Sequence, residues 1–323
     1  MIDEINRANV DLAFGKFFTL LEPVHRRGED LEIPGAEGGD GYRVEVPYSF
    51  RVLATMNSYD RALLFKLGYA LTRRFAVVNH VYLQELPRRC EEYVEMASKE
   101  ELLRKLAEYS QNREGAAAID FERVWKELRE CRRDNEGRPY DCIAPLDFVV
   151  ETEGLSMDKW RDRVYSIEVA GRKIMLDNVL VNLVEDINRE LRGFRECEVC
   201  PVQVTPGVLA DALRYVALGV YAYKEGVGKL PCGVERGSDN HLLVYVLLLL
   251  DTAFSTYIVP QLDILADYAN REKLYRGAPR TQGSSEERSV IDVLSRIRKK
   301  LEEHGLIYSA ELVKKIEKGY HVF

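Results

Sequence analysis

Nowhere in the 323 residues does the run G-x-x-x-x-G-K-[ST] occur. Gly15-Lys16 is followed by Phe17 and Gly228-Lys229 by Leu230, so neither pair carries the hydroxyl that Mg²⁺ takes from a phosphate loop. Histidine is sparse. The five histidines, at 25, 80, 241, 304 and 321, form no pair at i, i+3 or i+4, which argues against a zinc-protease helix. No Cys/His nucleophile is visible either. The six cysteines stand at 90, 131, 142, 197, 200 and 232. Cys197-Glu198-Val199-Cys200 has zinc-ligand spacing, but a second Cys-x-x-Cys is missing. Ordinary reduced thiols are the expected state, with a metal or a local disulfide at Cys197 and Cys200 as alternatives. There is no excess of positive charge: a net charge of −7 argues against DNA contact through this part. The longest apolar run, Leu242 to Leu250, is short for a bilayer and reads as a buried helix, so no membrane is expected. Met1 is followed at once by a charged motif and not by a leader, which makes the cytoplasm the expected compartment.

What is present begins with Met1-Ile2-Asp3-Glu4-Ile5-Asn6-Arg7-Ala8-Asn9. An apolar stub ending in Asp-Glu suits a strand that delivers two carboxylates to a Mg²⁺-nucleotide: one for the metal's water shell, one for the attacking water. Acidic pairs also occur on ordinary solvated helix faces, so the order of the following pieces carries the weight. A helix is expected at Phe14 to Glu22, with apolar residues at 14, 17, 18 and 21. A Gly-rich polar loop follows to Gly41, then a β-rich run, Phe50-Arg51-Val52-Leu53-Ala54-Thr55-Met56-Asn57. Asp60-Arg61 come next, and Leu71-Thr72-Arg73-Arg74-Phe75 leads into a further expected strand, Ala76-Val77-Val78. A polar side chain at the C-terminal end of a buried strand points into the ligand crevice of an α/β sheet.

With these residues in place, Met1 to Val78 resembles the second half of an AAA+ domain of the McrB type, the NTPase motor of modification-dependent restriction systems. The pieces that match are Ile2-Asp3-Glu4-Ile5-Asn6-Arg7-Ala8-Asn9, Phe14-Gly15 with Thr19-Leu20-Leu21-Glu22, Ala54 to Arg61, and Leu71 to Phe75. The likeness resumes at Leu183 to Leu191, like the start of the family's helical lid, and at Ala253-Phe254 and Tyr257-Ile258-Val259-Pro260. Residues from about Leu86 to Met175 match no named pattern.

The resemblance implies roles. Asp3 would help hold Mg²⁺ and Glu4 would position the attacking water. Asn57 would be sensor 1, contacting water and γ-phosphate, and Asp60 and Arg61 would lie near the subunit interface and a stimulating partner. Arg73 or Arg74 would be an arginine finger, worth on the order of 10³–10⁵ in rate. Two solvated arginines at a helix end are the plain alternative. The resemblance also implies ATP or GTP as substrate, a hexameric ring, and a McrC-like nuclease partner. In MoxR-like relatives the lid begins Ser-Pro-Arg. Here Val204-Thr205-Pro206-Gly207 keeps the cap and the first-turn proline without the cation, and Arg214 is a possible substitute.

The expected fold class is α/β: a partial AAA+ sheet domain lacking its phosphate-loop strand, then a helical lid, with a mostly helical insertion between them. The expected divisions are 1–85 (nucleotide-binding part), 86–178 (insertion with a small hairpin near Tyr165 to Ile174), 179–276 (lid) and 277–323 (linker and C-terminal helices). In the family's strand order the missing strand would separate Val52–Met56 from Ala76–Val78. The chain is therefore expected to be a truncated reading or to receive its first half from another polypeptide, and to be inactive alone. A MoxR-like or dynein-related remodelling ATPase, and a non-catalytic AAA+-derived interaction protein, are the alternative functions.

Overall fold

The computed structural model describes residues 1–7, 20–21, 30–33, 41–56, 74–78, 80–111, 120–192, 202–227, 238–275 and 289–322. Along the chain, a 3-10 turn at Ile5–Arg7 is followed by β1 (Asp30–Ile33) and β2 (Tyr42–Glu45). Then come α1 (His80–Ala97), α2 (Glu100–Tyr109), α3 (Phe121–Leu128), β3 (Cys131–Arg133) and β4 (Pro139–Cys142). They are followed by α4 (Leu146–Thr152), α5 (Met157–Tyr165), β5 (Ser166–Val169), β6 (Arg172–Met175), α6 (Leu176–Arg192) and α7 (Pro206–Lys224). Last are α8 (Asp239–Ala253), a π turn (Phe254–Ile258), α9 (Val259–Leu262), α10 (Leu265–Tyr275), α11 (Val290–Glu303) and α12 (Ile307–Glu317).

The described chain is thus mostly helical. Its strands form three antiparallel hairpins, β1-β2, β3-β4 and β5-β6, and one isolated parallel bridge joins Ile2 to Ala54. Of the expected parallel sheet, only that bridge is present among the described residues. Of the described part of the β-rich run, residues 50–56, Ala54 alone is bridged, and Ala76–Val78 is irregular and not a strand. A β-branched run becomes a strand only where a neighbour supplies a ladder for its N–H and C=O groups.

The chain divides into two compact units: Met1–Phe75 with Asp120–Trp160, and Ala76–Ile119 with Arg161–Phe323. The stretch 86–178 is therefore shared between them, its β3-β4 hairpin belonging with the N-terminal residues.

In the first unit the β3-β4 hairpin turns at Asp134 to Arg138. The Asp134 carboxylate accepts the N–H of Glu136 at 3.0 Å and of Arg138 at 2.8 Å, and Gly137 takes a φ of +78°. Cys131 and Cys142 face each other across the strands and are joined in a disulfide, which corrects the expectation of reduced thiols at these positions. Cys90, in the second unit, is disulfide-bonded as well. Cys197 and Cys200 lie outside the described residues. Beside the bridge, the Asp141 carboxylate accepts the N–H groups of Tyr48 at 2.8 Å and Ser49 at 2.9 Å. Burial alone would raise the Asp141 pKa, but these N–H donors and the Arg132 guanidinium hold it below the usual carboxylate range. Arg132 also pairs with Glu45 at 2.5 Å and lies over the Tyr48 ring at 4.9 Å.

The second unit is a helical bundle with the β5-β6 hairpin attached. The hairpin turns through Ala170 and Gly171, both at positive φ (+49° and +70°), as a two-residue turn of the primed type requires. The described residues of 179–265 are helical, joined by connecting segments. Helix α6 is buried nearly all round, from Leu176 to Leu191, and packs against α2, α7 and α11. Pro206 sits in the first turn of α7, whereas Thr205 makes no side-chain cap bond. Helices α7 and α8 approach closely at Gly219, where an added Cβ would meet Leu249 Cδ1 at 2.3 Å. The continuous helical stretch Asp239–Leu262 is long and apolar enough to cross a membrane, but 78% of its most apolar window is buried within the fold. It is a core helix.

Candidate functional site

The carboxylates of the Asp-Glu pair are placed by backbone pairing with a segment some fifty residues away. Ile2 N–H donates to Leu53 O at 2.8 Å, Thr55 N–H to Ile2 O at 2.9 Å, and Ile5 N–H to Thr55 O at 2.9 Å. Ile5 is buried at 7% exposure, with Ile2, Leu21, Ala54 and Phe75 packed against it. This apolar anchor fixes one end of the motif while Asp3 remains exposed.

Thr55 joins the two acids. Its hydroxyl donates to Asp3 Oδ1, and the same oxygen accepts the Glu4 N–H at 2.8 Å. Glu4 has a φ of +49°, in the left-handed region that a non-glycine residue enters at a cost of about 1–3 kcal/mol. That backbone turn aims its N–H at Thr55. The Glu4 side chain is held by Arg7: Nε pairs with Oε2, and the terminal nitrogen lies 3.2 Å from Oε1. Both carboxylate oxygens of Glu4 are therefore on a guanidinium.

The structure brings together Asp3 and Glu4, with Thr55 between them. Arg74 is half-buried and precedes Phe75, which belongs to the Ile5 cluster. Asn57, Asp60, Arg61 and Arg73 lie outside the described residues. Arg214, a possible substitute cation in the lid, is ion-paired with Asp211. Thr55 is the residue that sequence reading quoted without a role. A hydroxyl two positions before Asn57, within the quoted Ala54 to Arg61 match, was the available signal.

For Mg²⁺, Asp3 offers what the ion takes: a hard, exposed carboxylate, with Oδ1 oriented by Thr55. One carboxylate suits an ion that draws its other ligands from phosphate oxygens and water. No cluster of three or more His, Cys, Asp or Glu with metal-site geometry exists among the described residues.

No family model matches the chain, and no solved structure matches it. A segment of the chain is similar in sequence to the type IV methyl-directed restriction enzyme EcoKMcrB subunit of Escherichia coli (strain K12). The two are 39% identical over 80 residues, which is 24% of this chain and 17% of that protein. The chain is thus McrB-related over a limited segment, and its match spans under a fifth of that relative's length.

Proposed function

We propose that this chain supplies the Walker B, sensor and lid portion of a McrB-related AAA+ motor in a DNA restriction system. It would work with a phosphate-binding loop that these 323 residues do not contain. The observation that carries the reading is the Asp3–Thr55–Glu4 linkage on the paired Ile2 and Ala54 segments. In this reading Asp3 is the metal-binding carboxylate and Glu4 the water-orienting one, and their bonds to Thr55, on the run leading to Asn57, support it. The segmental likeness to the EcoKMcrB subunit supports the same reading.

Bound Mg²⁺ would neutralise charge on the phosphate oxygens of GTP or ATP. Asp3 would hold the ion, with its carboxylate oriented by the Thr55 hydroxyl. Glu4, released from Arg7, orients the attacking water and accepts its proton. Asn57 would keep that water against the γ-phosphate. Arg73 or Arg74 would meet charge developing on the phosphoryl group in a neighbouring subunit of a hexameric ring, and Asp60 and Arg61 would serve that interface or a McrC-like nuclease partner. A non-catalytic role is favoured by one observation: Arg7 occupies both oxygens of Glu4.

Turnover of GTP and ATP by the assembly containing this chain and its phosphate loop tests the reading. Glu4→Gln should leave nucleotide binding intact and lower hydrolysis by about 10²–10⁴-fold, because an amide cannot accept the water's proton. Unchanged hydrolysis in that variant would remove Glu4 from the chemistry.

A further inference from the structure

The run Tyr257-Ile258-Val259-Pro260 has no part in that chemistry, and it sits where the longest apolar helix is interrupted. Helix α8 passes into the π turn Phe254–Ile258, in which Val259 N–H reaches back five residues to Phe254 O, before α9 resumes. Such turns are uncommon and gather at functional places. The cause here is Pro260. Proline has no N–H, and its ring crowds the carbonyl four residues earlier, which is that of Thr256.

Thr256 is buried at 5% exposure, so its freed carbonyl needs a partner other than bulk water. That partner is the N–H of Val77, at 3.2 Å. The neighbouring carbonyl of Tyr257 is taken by the Gln261 side chain at 3.4 Å. The helix is therefore opened at one place, and the opening is filled by a segment nearly 180 residues earlier in the chain. Val77 lies three residues after Arg74, just past the point where the chain leaves the first compact unit and enters the second.

We propose that Pro260 is a positioning residue: by opening the helix at Thr256 it makes that carbonyl the anchor for Val77, and so sets where the segment leaving Arg74 is held. The anchor stands on geometry alone. Its use in catalysis rests on the function proposed for Arg74.

Hydrogen exchange at single-residue resolution on the 323-residue chain, with limited trypsin digestion, tests the proposal. In the unaltered chain the Val77 amide should exchange at least about tenfold more slowly than those of Ala76 and Val78, as one buried hydrogen bond implies. Pro260→Ala supplies an N–H that competes for Thr256 O. Val77 exchange and cleavage after Arg74 should then both accelerate about tenfold. The Ser309 amide, held by Asp251, should stay protected and report an intact bundle. Replacing Pro260 with N-methylalanine, which also lacks the N–H, should restore protection of Val77. The proposal is overturned if Val77 is no slower than its neighbours in the unaltered chain. It is equally overturned if Pro260→Ala leaves Val77 and the Arg74 cleavage unchanged while Ser309 stays protected. Should Pro260→Ala lose Ser309 protection, the comparison within the unaltered chain decides. No nucleotide is used, so failure here leaves the proposed hydrolysis standing, and an inactive assembly with a protected Val77 fails only the latter.

Discussion

The carboxylate of Asp251, on α8, caps the helix that begins beside Ser309. Helix α12 has Leu306 at its cap position and therefore no side-chain cap of its own. Asp251 substitutes: Oδ1 accepts the Ser309 N–H at 2.8 Å and the Ser309 hydroxyl, while Oδ2 accepts the Tyr308 N–H at 2.8 Å and the Tyr93 hydroxyl at 2.6 Å. Four donors from two other helices converge on one fully buried group. Asp251→Asn turns an NH₂ toward donors that need an acceptor. It should cost about 2–4 kcal/mol, combining a lost cap with unsatisfied buried donors. Ser309→Ala removes one donor and should cost about 1 kcal/mol. Urea unfolding of the two variants checks both. Equal losses would show that Asp251 is not the centre of this junction.

His321 gives the second unit a pH-dependent contact. Its Nδ1 lies 2.8 Å from Asp263 Oδ2 and its Nε2 3.0 Å from Asp267 Oδ1, while Val322 N–H donates to Asp263 Oδ1 at 2.6 Å. Burial alone would lower the His321 pKa, but bonds to the two carboxylates outweigh it and leave the group above its ordinary 6.5. A folded pKa above the unfolded one means the stabilisation is complete below the unfolded value and is lost as pH rises through the folded value. The melting temperature should accordingly fall between pH 6 and pH 8.5 by on the order of 2 °C more in the native chain than in His321→Gln. Parallel pH profiles for the two would remove His321 from the effect.

The Cys131–Cys142 bridge closes a short loop around the Asp134 turn and adjoins Asp141, which holds the Tyr48 and Ser49 amides. A loop of this length is worth about 3 kcal/mol in chain entropy. With both cysteines changed to serine, the Tyr48 and Ser49 amides should exchange faster by about 10²-fold, whereas Ser309 in the other unit should be unaffected. An equal loss of protection in both units would mean that the bridge acts on more than its hairpin.

What the sequence made legible was local. Gly171 and the Asp134-Asn135-Glu136-Gly137 cluster are turn chemistry, and Val290, Leu294, Ile297 and Leu301 recur at the helical spacing of α11. Motif order singled out Asp3 and Glu4, and both hydrogen-bond to Thr55. The capping of α12 was not legible, because no pattern around Leu306 names an aspartate on α8 as its partner. The cross-strand cysteines were not, because β3 is short and too charged to read as a strand. The error at Ala76–Val78 has the same origin: three small and β-branched residues suit a ladder, but the acceptor that Val77 meets is a helix carbonyl displaced by Pro260.

Thr55 carries the sharpest test of the candidate site. Its one oxygen both donates to the Asp3 carboxylate and accepts from the Glu4 backbone N–H, so one hydroxyl orients both residues. Thr55→Val keeps the branched shape and removes both bonds. Asp3 would then be free to rotate, and the left-handed turn at Glu4 would lose the acceptor that offsets its backbone cost. In the assembly with a phosphate loop, hydrolysis should fall by about tenfold or more, with a raised Mg²⁺ requirement, while nucleotide binding at saturating Mg²⁺ changes little. Thr55→Ser restores the oxygen without the methyl and should recover most of the rate. That pair of outcomes separates orientation from packing, since a merely structural loss would track the missing methyl and leave serine more impaired than valine. Full activity in Thr55→Val would show that the Asp3–Thr55–Glu4 linkage does not set the geometry of the reaction.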